Sequence, residues 1–395
     1  MRLAIVTESF LPQVNGVTNS VLRVCEHVRA AGSEVLVVAP GAGPTRWEGI
    51  DVVRVPSVPV PGYPSHRMAW PWPPLAQTLR AFAPDLIHLA SPTLLGAQAL
   101  SVAERSGVPC LAVYQTDLPA YAGRYHVPAA AGPLWKWLHH IHSRADLTLA
   151  PSTHSVAELE RHRIPRVRLW PRGVDLDRFH PLRRDPLLRS QLRRTDELLV
   201  GYVGRLAAEK QIELLATVAD LPKVRLVVVG DGPQKGALER LLPRALFLGQ
   251  ITGARLASVY ASLDVFVHTG PHETFCQTVQ EALASGLPVV APAAGGIPDL
   301  VRDGRNGLLF EAGSGRQLRE AVSRLVDSPR LRGVLAETAR ESVSGRSQKA
   351  IGDAYLEYCR QVLPNGHRTG SNGGTRSNRA HRFLPNRRWD TPRSA

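Results

Sequence analysis

The sequence contains no long hydrophobic run. No stretch approaches the roughly 18 uninterrupted apolar residues that a helix needs to cross a bilayer. The first apolar run, residues 3–6, lacks the basic stretch and the longer apolar region that a secretory signal requires. We therefore expect a cytoplasmic protein that contacts the inner face of the cell membrane peripherally and does not cross it.

Cysteine is scarce as well. The cysteines lie far apart and form no C-x-x-C pair, so the sequence offers neither a zinc knuckle nor a disulfide framework. A reducing compartment fits this pattern best. The four positions are Cys25, Cys110, Cys276 and Cys359.

Acidic residues are outnumbered, since 34 Asp and Glu oppose 48 Lys and Arg and the formal net charge is +14. Residues 364–395 hold seven Arg and one Asp, and their Gly, Asn, Ser and Arg composition predicts a disordered basic tail. We find no nucleic-acid recognition module, so the charge supports only nonspecific attraction to nucleic acid. An anionic membrane surface is the better partner, at about 1 kcal/mol for each basic group near the lipid.

Apolar strand-like runs alternate with amphipathic segments, which indicates a parallel sheet covered by helices. Valines at positions 17, 21, 24 and 28 have helical spacing, and residues 94–106 form a second helical pattern. The predicted strands of this first unit are residues 3–7, 34–39, 85–89, 109–114 and 147–150.

The same alternation restarts at residue 198, and a chain of 395 residues exceeds the usual size of one domain. We predict an α/β fold of two facing, doubly wound, Rossmann-like domains with a ligand cleft at the carboxyl ends of their strands. The predicted segments are a first domain at 1–180, a linker at 181–197, a second domain at 198–345 and a returning helix within 346–363. The predicted strands of the second domain are residues 198–203, 224–229, 246–248, 264–267 and 289–291.

Two cations follow the first strand of the second domain. Arg205 and Lys210 lie five positions apart in a loop that begins at Gly204. A reaction that releases a diphosphate without a metal needs fixed cations where negative charge develops. Arg binds phosphate oxygens bidentately, whereas Lys acts as a point charge. Taken alone, however, such a segment is more often a solvated helix start.

Two carboxylates, Glu273 and Glu281, follow a buried strand of the same domain and enter a helical pattern. If the segment were helical throughout, they would lie about 12 Å apart along the axis. That reach suits one carboxylate on sugar hydroxyls and the other on a ribose, with a diphosphate near the helix amino terminus. Paired Glu residues on a helix are usually exposed charges, but Phe275, Val279 and Leu283 predict a partly buried start.

Several motifs in combination resemble the large family 4 of retaining glycosyltransferases, whose fold is named GT-B. The resemblance covers residues 1 to about 345, and the set is specific in this order although each motif alone is weak. The motifs are Gly173-Val174-Asp175, Gly204-Arg205 with Lys210, residues 230–233, Glu273 with Glu281, and residues 295–298.

The resemblance implies an enzyme that needs neither metal nor cofactor and takes a nucleotide-sugar donor. Arg205 and Lys210 would hold the diphosphate, Glu281 the ribose and Glu273 the donor sugar, with Arg205, Lys210 and Glu273 as the catalytic set. The leaving phosphate would help to deprotonate the acceptor hydroxyl on the same face, so no protein nucleophile is assigned. The other implied donor contacts are Gly16, Gly230, Phe275, Cys276 and Gln277, with Gly16 close to the diphosphate.

Residues 8–21 and the segment from Tyr114 to Asp117 resemble the GDP-mannose-dependent α-mannosyltransferases that act on membrane glycolipids. This closer resemblance implies a lipid-linked acceptor. Gln115 stands where many members have His, and its amide can bind a sugar hydroxyl but cannot shuttle a proton. Asp117 is the second candidate for contact with the acceptor or the sugar.

Two further positions depart from the family pattern. Asn15 stands where Gly is common, and we expect it to serve in a left-handed turn. Cys276 also replaces a frequent Gly, and we expect a small buried hydrophobe there.

Other patterns keep alternatives open. Residues 230–236 resemble a dinucleotide fingerprint, but the spacing is wrong by one residue. His139, His140 and His142 have no matching Cys or carboxylate set for a metal. The aromatic and basic residues within 63–72 suit an acceptor or lipid surface in an irregular loop, and an ordinary packed loop is the alternative. The alternatives to mannosyl transfer are a UDP-sugar-dependent hexosyltransferase, a nucleotide-sugar epimerase, and a non-catalytic nucleotide-sugar-binding or polyanion-binding protein.

Overall fold

Buried apolar runs form the central strands of two separate sheets in the computed structural model. The model describes residues 1–60, 63–70, 72–120, 130–194 and 196–364, with every side chain in these ranges except those of 59–60 and 63–67. Two Rossmann-like domains result, so the predicted fold class is confirmed. Within the described ranges, no helix is long and apolar enough to cross a bilayer.

The first sheet has eight strands in the order β10-β9-β8-β7-β1-β2-β4-β3, and only β3 runs antiparallel to its neighbour. Its centre is strand β1, which is buried from Leu3 to Thr7, and Ile5 lies opposite Val37 on one side and His88 on the other. The strands up to the linker are β1 Arg2–Thr7, β2 Glu34–Pro40, β3 Arg46–Trp47, β4 Ile50–Val55, β5 Ser57–Val60, β6 Tyr63–Ala69, β7 Leu86–Ala90, β8 Cys110–Val113, β9 Leu147–Ala150 and β10 Val167–Leu169.

Amphipathic helices cover this sheet. In the first of them, Val21, Val24 and Val28 are buried on one face, as their spacing predicts. The third ends at Gly107, whose left-handed backbone stops it where the sequence predicted. The helices of this domain with described bounds are α1 Gly16–Ala30, α2 Leu75–Phe82, α3 Leu94–Ser106, α4 Ala131–His142 and α5 Thr153–Arg161.

The second sheet is entirely parallel, in the order β13-β12-β11-β14-β15-β16. Its strands are β11 Leu198–Val203, β12 Val224–Val229, β13 Leu246–Phe247, β14 Val265–Val267, β15 Val289–Pro292 and β16 Gly307–Phe310. The helices from residue 186 onward are α6 Pro186–Leu192, α7 Lys235–Leu241, α8 Gly253–Ser262, α9 Gln277–Ala284, α10 Gly315–Asp327, α11 Pro329–Glu341 and α12 Gln348–Val362.

The predicted linker contains an ordered helix, α6. Leu192 is buried in the core of the second domain, and the Arg189 guanidinium binds both oxygens of Asp264 at 2.8 and 2.9 Å. This segment therefore packs on the second domain rather than lying free between the domains.

Helix α12 packs on the first domain. The Tyr355 hydroxyl lies 2.6 Å from Nδ1 of His88 on β7, and the Trp170 indole donates to the Ile351 carbonyl at 3.1 Å. Where the chain enters the second domain, Val174 bridges to Ser347 at the point of return. A Cβ on Gly173 would lie 2.7 Å from the Gln348 Cα, so glycine permits this close crossing.

The structure also corrects the sequence interpretation of residues 63–72. Residues 63–69 do not form an irregular loop, because they are strand β6, which pairs with β5 as an antiparallel hairpin. Val58, Met68 and Trp70 of this hairpin have large exposed fractions of 42%, 39% and 64%. The predicted disordered tail, apart from Pro364, lies outside the described residues.

Candidate active site

The candidate residues of both domains follow the carboxyl ends of parallel strands. Gly16 begins the helix after β1, and Gln115 follows β8 in the first domain. Arg205 and Lys210 follow β11, and Glu273 follows β14 in the second domain. The two groups meet across the cleft, because the Thr274 hydroxyl donates to the Gln115 carbonyl at 3.0 Å.

Lys210 and Glu273 form the ion pair at the centre of the site. The Lys210 Nζ lies 2.5 Å from the Glu273 Oε1, and both side chains are largely buried. Burial alone would raise the pKa of Glu273, but the Lys210 ammonium and then His268 lower it to about 2. Glu273 is therefore ionised at neutral pH, which suits it to accept hydrogen bonds from sugar hydroxyls.

His268 completes this pair, and the sequence interpretation missed it. It is 2% exposed, stacks on Tyr202 with 6.2 Å between ring centroids, and places Nε2 3.1 Å from the Glu273 Oε1. Burial would lower the pKa of His268, but Cys276 and Glu273 raise it to about 9. Its signal in the sequence is a titratable residue directly after the buried apolar strand β14.

The ligand atoms of His268, Glu273 and Cys276 lie within 4.8 Å of one another, and all three residue types bind metals. The electrostatics of the cluster do not suit a metal cation. The Lys210 ammonium already contacts the Glu273 carboxylate, and the raised pKa of His268 leaves its imidazole protonated at neutral pH. Lys210 and His268 thus place two positive charges beside the single Glu273 carboxylate.

Arg205 reaches into solvent from the loop after β11. It forms an ion pair with Glu209, which is 2% exposed, while 39% of its own side chain is exposed. Burial would raise the pKa of Glu209, but the hydrogen bond from Arg205, the hydrogen bond from its own backbone amide and the charges of Arg205 and Lys210 together lower it. Glu209 is therefore an ionised, buried carboxylate that orients the Arg205 guanidinium. The sequence interpretation did not select it.

Glu281 lies within α9, whereas Glu273 lies in the loop before it. The segment from Glu273 to Glu281 is not helical throughout, since α9 begins at Gln277, so the separation of about 12 Å that a continuous helix would give does not apply. The Glu281 Oε2 accepts a hydrogen bond from the Tyr260 hydroxyl at 3.2 Å. Burial raises the pKa of Glu281 to about 7, against the opposing effect of Tyr260 and Gln277.

Cys276 explains why the helix starts late. Its φ of 79° places it in the left-handed region, which side chains rarely adopt and glycine adopts readily. The left-handed backbone at this position explains why glycine is frequent there in the family. Cys276 and its neighbour Phe275 are each 4% exposed, so the prediction of a small buried hydrophobe is confirmed. The Gln277 Nε2 donates to the Gly173 carbonyl at 3.3 Å.

Glycines fix the loop that carries Arg205. A Cβ on Gly230 would lie 1.9 Å from the Gly204 carbonyl oxygen, and one on Gly232 would lie 2.3 Å from the Leu206 carbonyl oxygen. The loops after β11 and β12 therefore touch through their backbones. Close packing of these two loops explains the glycines, so they need not be interpreted as a dinucleotide-binding motif.

A second pair of glycines fixes the Glu273 loop. A Cβ on Gly295, whose φ is 58°, would lie 2.4 Å from the Glu273 carbonyl oxygen. The Gly296 amide donates to the same oxygen at 2.7 Å. The motif at residues 295–298 thus acts by holding the backbone of Glu273 in place.

Gly16 is the first residue of α1, and a Cβ built on it would meet no heavy atom within 4 Å among the described residues. Packing of the described protein therefore does not require a glycine there. Asn15 is extended, with a φ of −150°, so the expected left-handed turn is wrong. It caps the helix instead, because its Oδ1 accepts from the Thr18 amide at 3.0 Å.

Asp117 and Glu273 line one cavity between the domains, with an empty volume of about 320 Å³ that opens to solvent. Tyr114 and Glu158 of the first domain and Thr274 of the second contribute to its wall. The Asp117 Oδ1 also accepts a hydrogen bond from the Ala120 amide at 3.0 Å. The cavity therefore brings Asp117 of the first domain and Glu273 of the second to one opening between the domains.

The three histidines of α4 do not converge. His142 is buried, and its Nδ1 lies 3.2 Å from the Thr148 hydroxyl oxygen, while burial lowers its pKa to about 4. His139 and His140 are exposed. These positions fit packing and surface roles rather than a shared metal site.

Family models cover most of the chain. The model for Glycosyltransferase Family 4 matches residues 14–178, and the model for glycosyl transferases group 1 matches residues 184–342. The chain is 49% identical over 370 residues to a GDP-mannose-dependent alpha-mannosyltransferase of Mycolicibacterium smegmatis, which covers 92% of this chain and 98% of that protein. It is 29% identical over 315 residues to a GDP-mannose-dependent alpha-(1-6)-phosphatidylinositol dimannoside mannosyltransferase of Mycobacterium tuberculosis, covering 76% and 82% respectively.

A solved structure agrees with these matches. The Anabaena protein HepE in complex with UDP superposes with a TM-score of 0.75 at 21% identity, covering 91% of this chain and 100% of that chain. At this identity the likeness shows the shared fold alone. The family models and the 49% identical relative go further, and the chain belongs to glycosyltransferase family 4.

Proposed function

We propose that this protein transfers mannose from GDP-mannose to a membrane glycolipid with retention of the anomeric configuration. The observation that carries the proposal is the buried Lys210–Glu273 pair, which faces the first domain across the cleft. The Lys210 cation suits the diphosphate of a nucleotide sugar, and the ionised Glu273 carboxylate suits the hydroxyls of its hexose. The donor identity rests on the relative at 49% identity, which is named for GDP-mannose.

The donor lies with its diphosphate on Arg205 and Lys210, its ribose on Glu281 and its hexose on Glu273. Arg binds the phosphate oxygens through several N–H groups, while Lys adds a point charge. The amides of Phe275, Cys276 and Gln277 serve the sugar or phosphate, where the start of α9 favours negative charge. Gly16 and Gly230 border the diphosphate from the two domains, where a side chain would intrude.

The reaction is a displacement on one face of the sugar. As the bond to the diphosphate breaks, Arg205 and Lys210 stabilise the charge that develops on the leaving phosphate. The acceptor oxygen forms the new bond to the anomeric carbon on the face that the diphosphate leaves, and the leaving phosphate oxygen takes the proton of the acceptor hydroxyl. Because the acceptor attacks directly, the protein provides no nucleophile. With these cations in place, the transfer requires no metal.

A donor panel tests the proposal. Purified protein is offered GDP-mannose, UDP-glucose and UDP-N-acetylglucosamine with extracted membrane lipids, and nucleotide release and glycolipid product are measured. We expect turnover and a mannolipid with GDP-mannose alone. Preference for a UDP donor would overturn the mannosyl assignment, and nucleotide-sugar conversion without a lipid product would favour the epimerase alternative.

Glu281 makes donor binding depend on pH. Because its pKa is about 7, the carboxylate is mostly protonated at pH 6 and mostly ionised at pH 8. The ionised carboxylate presents both oxygens as charged acceptors to the ribose hydroxyls, whereas protonation removes the charge and turns one oxygen into a donor. We expect GDP to bind about tenfold more tightly at pH 8 than at pH 6, as the competent fraction rises. Calorimetric titration measures this, and Glu281→Gln should flatten the profile while weakening binding at pH 8.

The hairpin β5–β6 is the proposed contact with anionic lipid. Met68 and Trp70 are exposed there, and Trp favours membrane interfaces. The side chain of Arg67, a basic candidate for the same contact, lies outside the described residues. We expect replacement of Met68 and Trp70 together by Ser to weaken binding to anionic vesicles about tenfold, measured by co-sedimentation.

A matched control for that experiment is Val334→Ser on α11. Val334 is 48% exposed but belongs to the second domain. Equal vesicle binding by the wild type and the double variant would contradict the hairpin contact, and loss of binding with Val334→Ser would show a nonspecific effect.

A further inference from the structure

Arg172 lies where the first domain gives way to the second, just before the crossing at Gly173. Its guanidinium donates to the Ser20 hydroxyl on α1 and to the Gln115 Oε1, the latter at 2.5 Å. It also lies over the Trp170 ring, 5.1 Å from the centroid. Arg172 thus links the helix after β1 to the loop after β8, the two first-domain elements at the cleft.

Arg172 differs from the other cations of the site in the type of group that it contacts. Arg205 pairs with Glu209 and Lys210 with Glu273, but the partners recorded for Arg172 within the described ranges include no carboxylate. Burial lowers the pKa of Arg172 to about 10, which still leaves it charged at neutral pH. Its guanidinium is therefore a permanent donor directed at neutral oxygens.

This contact fixes the orientation of the Gln115 amide. A guanidinium has no acceptor, so the atom it meets must be the amide oxygen and not the nitrogen. The Gln115 Nε2 consequently points away from Arg172. That nitrogen is buried and has no acceptor among the residues that the structure describes.

The backbone around Gln115 is also held against the second domain. The Gln115 carbonyl accepts from the Thr274 hydroxyl at 3.0 Å, and Thr274 is the residue after Glu273. The Gln280 Nε2 on α9 donates to the Arg172 carbonyl at 2.9 Å. Both Gln115 and Arg172 are therefore anchored to the segment that carries the proposed sugar-binding carboxylate.

We propose that Arg172 is a positioning residue that holds Gln115 as an obligate hydrogen-bond donor to a hydroxyl oxygen of the transferred hexose. The inference rests on the proposed function, because the ligand is its donor sugar. The Arg172 charge polarises the amide and strengthens donation from Nε2. Gln115 neither gains nor loses a proton, so this contact is independent of pH over the range in which Arg172 stays charged.

A double-mutant cycle tests the inference. Arg172→Met, Gln115→Ala and the double variant are compared with the wild type in kcat and KM for GDP-mannose, with melting temperature as the check on folding. We expect each single change to lower kcat/KM by about 10- to 100-fold and the double variant to lose no more than the worse single variant. Fully additive losses, or an unaffected Arg172→Met, would overturn the proposal.

Two further variants separate donation from shape and charge. Gln115→Glu keeps a partner for Arg172 but replaces the donor nitrogen by an acceptor oxygen, so we expect a loss as large as in Gln115→Ala. Wild-type activity in Gln115→Glu would refute obligate donation. Arg172→Lys keeps the charge and should restore part of kcat/KM relative to Arg172→Met, whereas no restoration would show that Arg172 supports only the local fold.

Failure of the proposed function can be recognised separately. A wild-type protein that uses another nucleotide sugar fails the mannosyl assignment, and the cycle is then measured with that donor. Non-additivity between Arg172 and Gln115 would still support the positioning role, and additivity would still refute it.

Discussion

Glu273→Gln should lower kcat about 100- to 1,000-fold and leave GDP affinity within about threefold of the wild type, a range typical for loss of one preorganised electrostatic contact. The reason is that Glu273 serves the hexose, which GDP lacks. Initial rates with GDP-mannose and calorimetric titration of GDP measure the two quantities. A parallel loss of GDP affinity would place Glu273 on the nucleotide instead.

The same substitution has a second expected effect. Lys210 and His268 both face the Glu273 carboxylate, so a neutral amide takes away the anion that the buried Lys210 ammonium contacts and one of the groups that raise the pKa of His268. Removing one partner of a buried ion pair costs about 3–5 kcal/mol, and we expect the melting temperature to fall. Glu273→Asp, which keeps the charge, is the matched control and should retain more of the stability.

Lys210→Ala should instead weaken GDP binding by about 100-fold, since a charge-assisted hydrogen bond to phosphate contributes about 1.5–3 kcal/mol. Affinity for guanosine, which has no phosphate, should stay unchanged. Calorimetry with both ligands gives the comparison. Equal losses for GDP and guanosine would contradict a phosphate contact.

Loss of Lys210 should also introduce a pH dependence into catalysis. Burial raises the pKa of Glu273, and the Lys210 ammonium is the larger of the two effects that oppose it. Without Lys210 the carboxylate gains its proton at a higher pH, so activity should fall as the pH is lowered. Lys210→Arg keeps the cation and should preserve the flatter profile.

The central strands β1, β2, β11 and β12 could be predicted from the sequence because their runs are mainly apolar. The predicted bounds of strand 224–229 agree with β12, and those of helix 94–106 agree with α3. Strand β16 was missed because it lies at the edge of its sheet and reads as Gly-Leu-Leu-Phe beside a turn. The hairpin β5–β6 was missed because Pro and aromatic residues hide its alternation.

The candidate site was only partly predictable. Motif resemblance selected Lys210 and Glu273, which the structure brings into contact. The roles of His268 and Arg172 depend on partners that only the folded chain brings near, such as Gln115, which is 57 positions from Arg172. The left-handed backbone of Cys276 likewise depends on packing and leaves no periodic signal in the sequence.

The chain crosses between the domains twice, and the two crossing segments lie side by side. This arrangement limits how one domain can rotate relative to the other. The Val174 amide donates to the Arg346 carbonyl at 2.9 Å, and the Gln348 amide donates to the Val174 carbonyl at 3.2 Å. Two covalent connections at one place act as a hinge, so any rotation moves nearby atoms least and the mouth of the cleft most. Arg172 lies beside that hinge, where atoms move little as the cleft opens and closes. Its hydrogen bond to Gln115 can therefore persist through the motion.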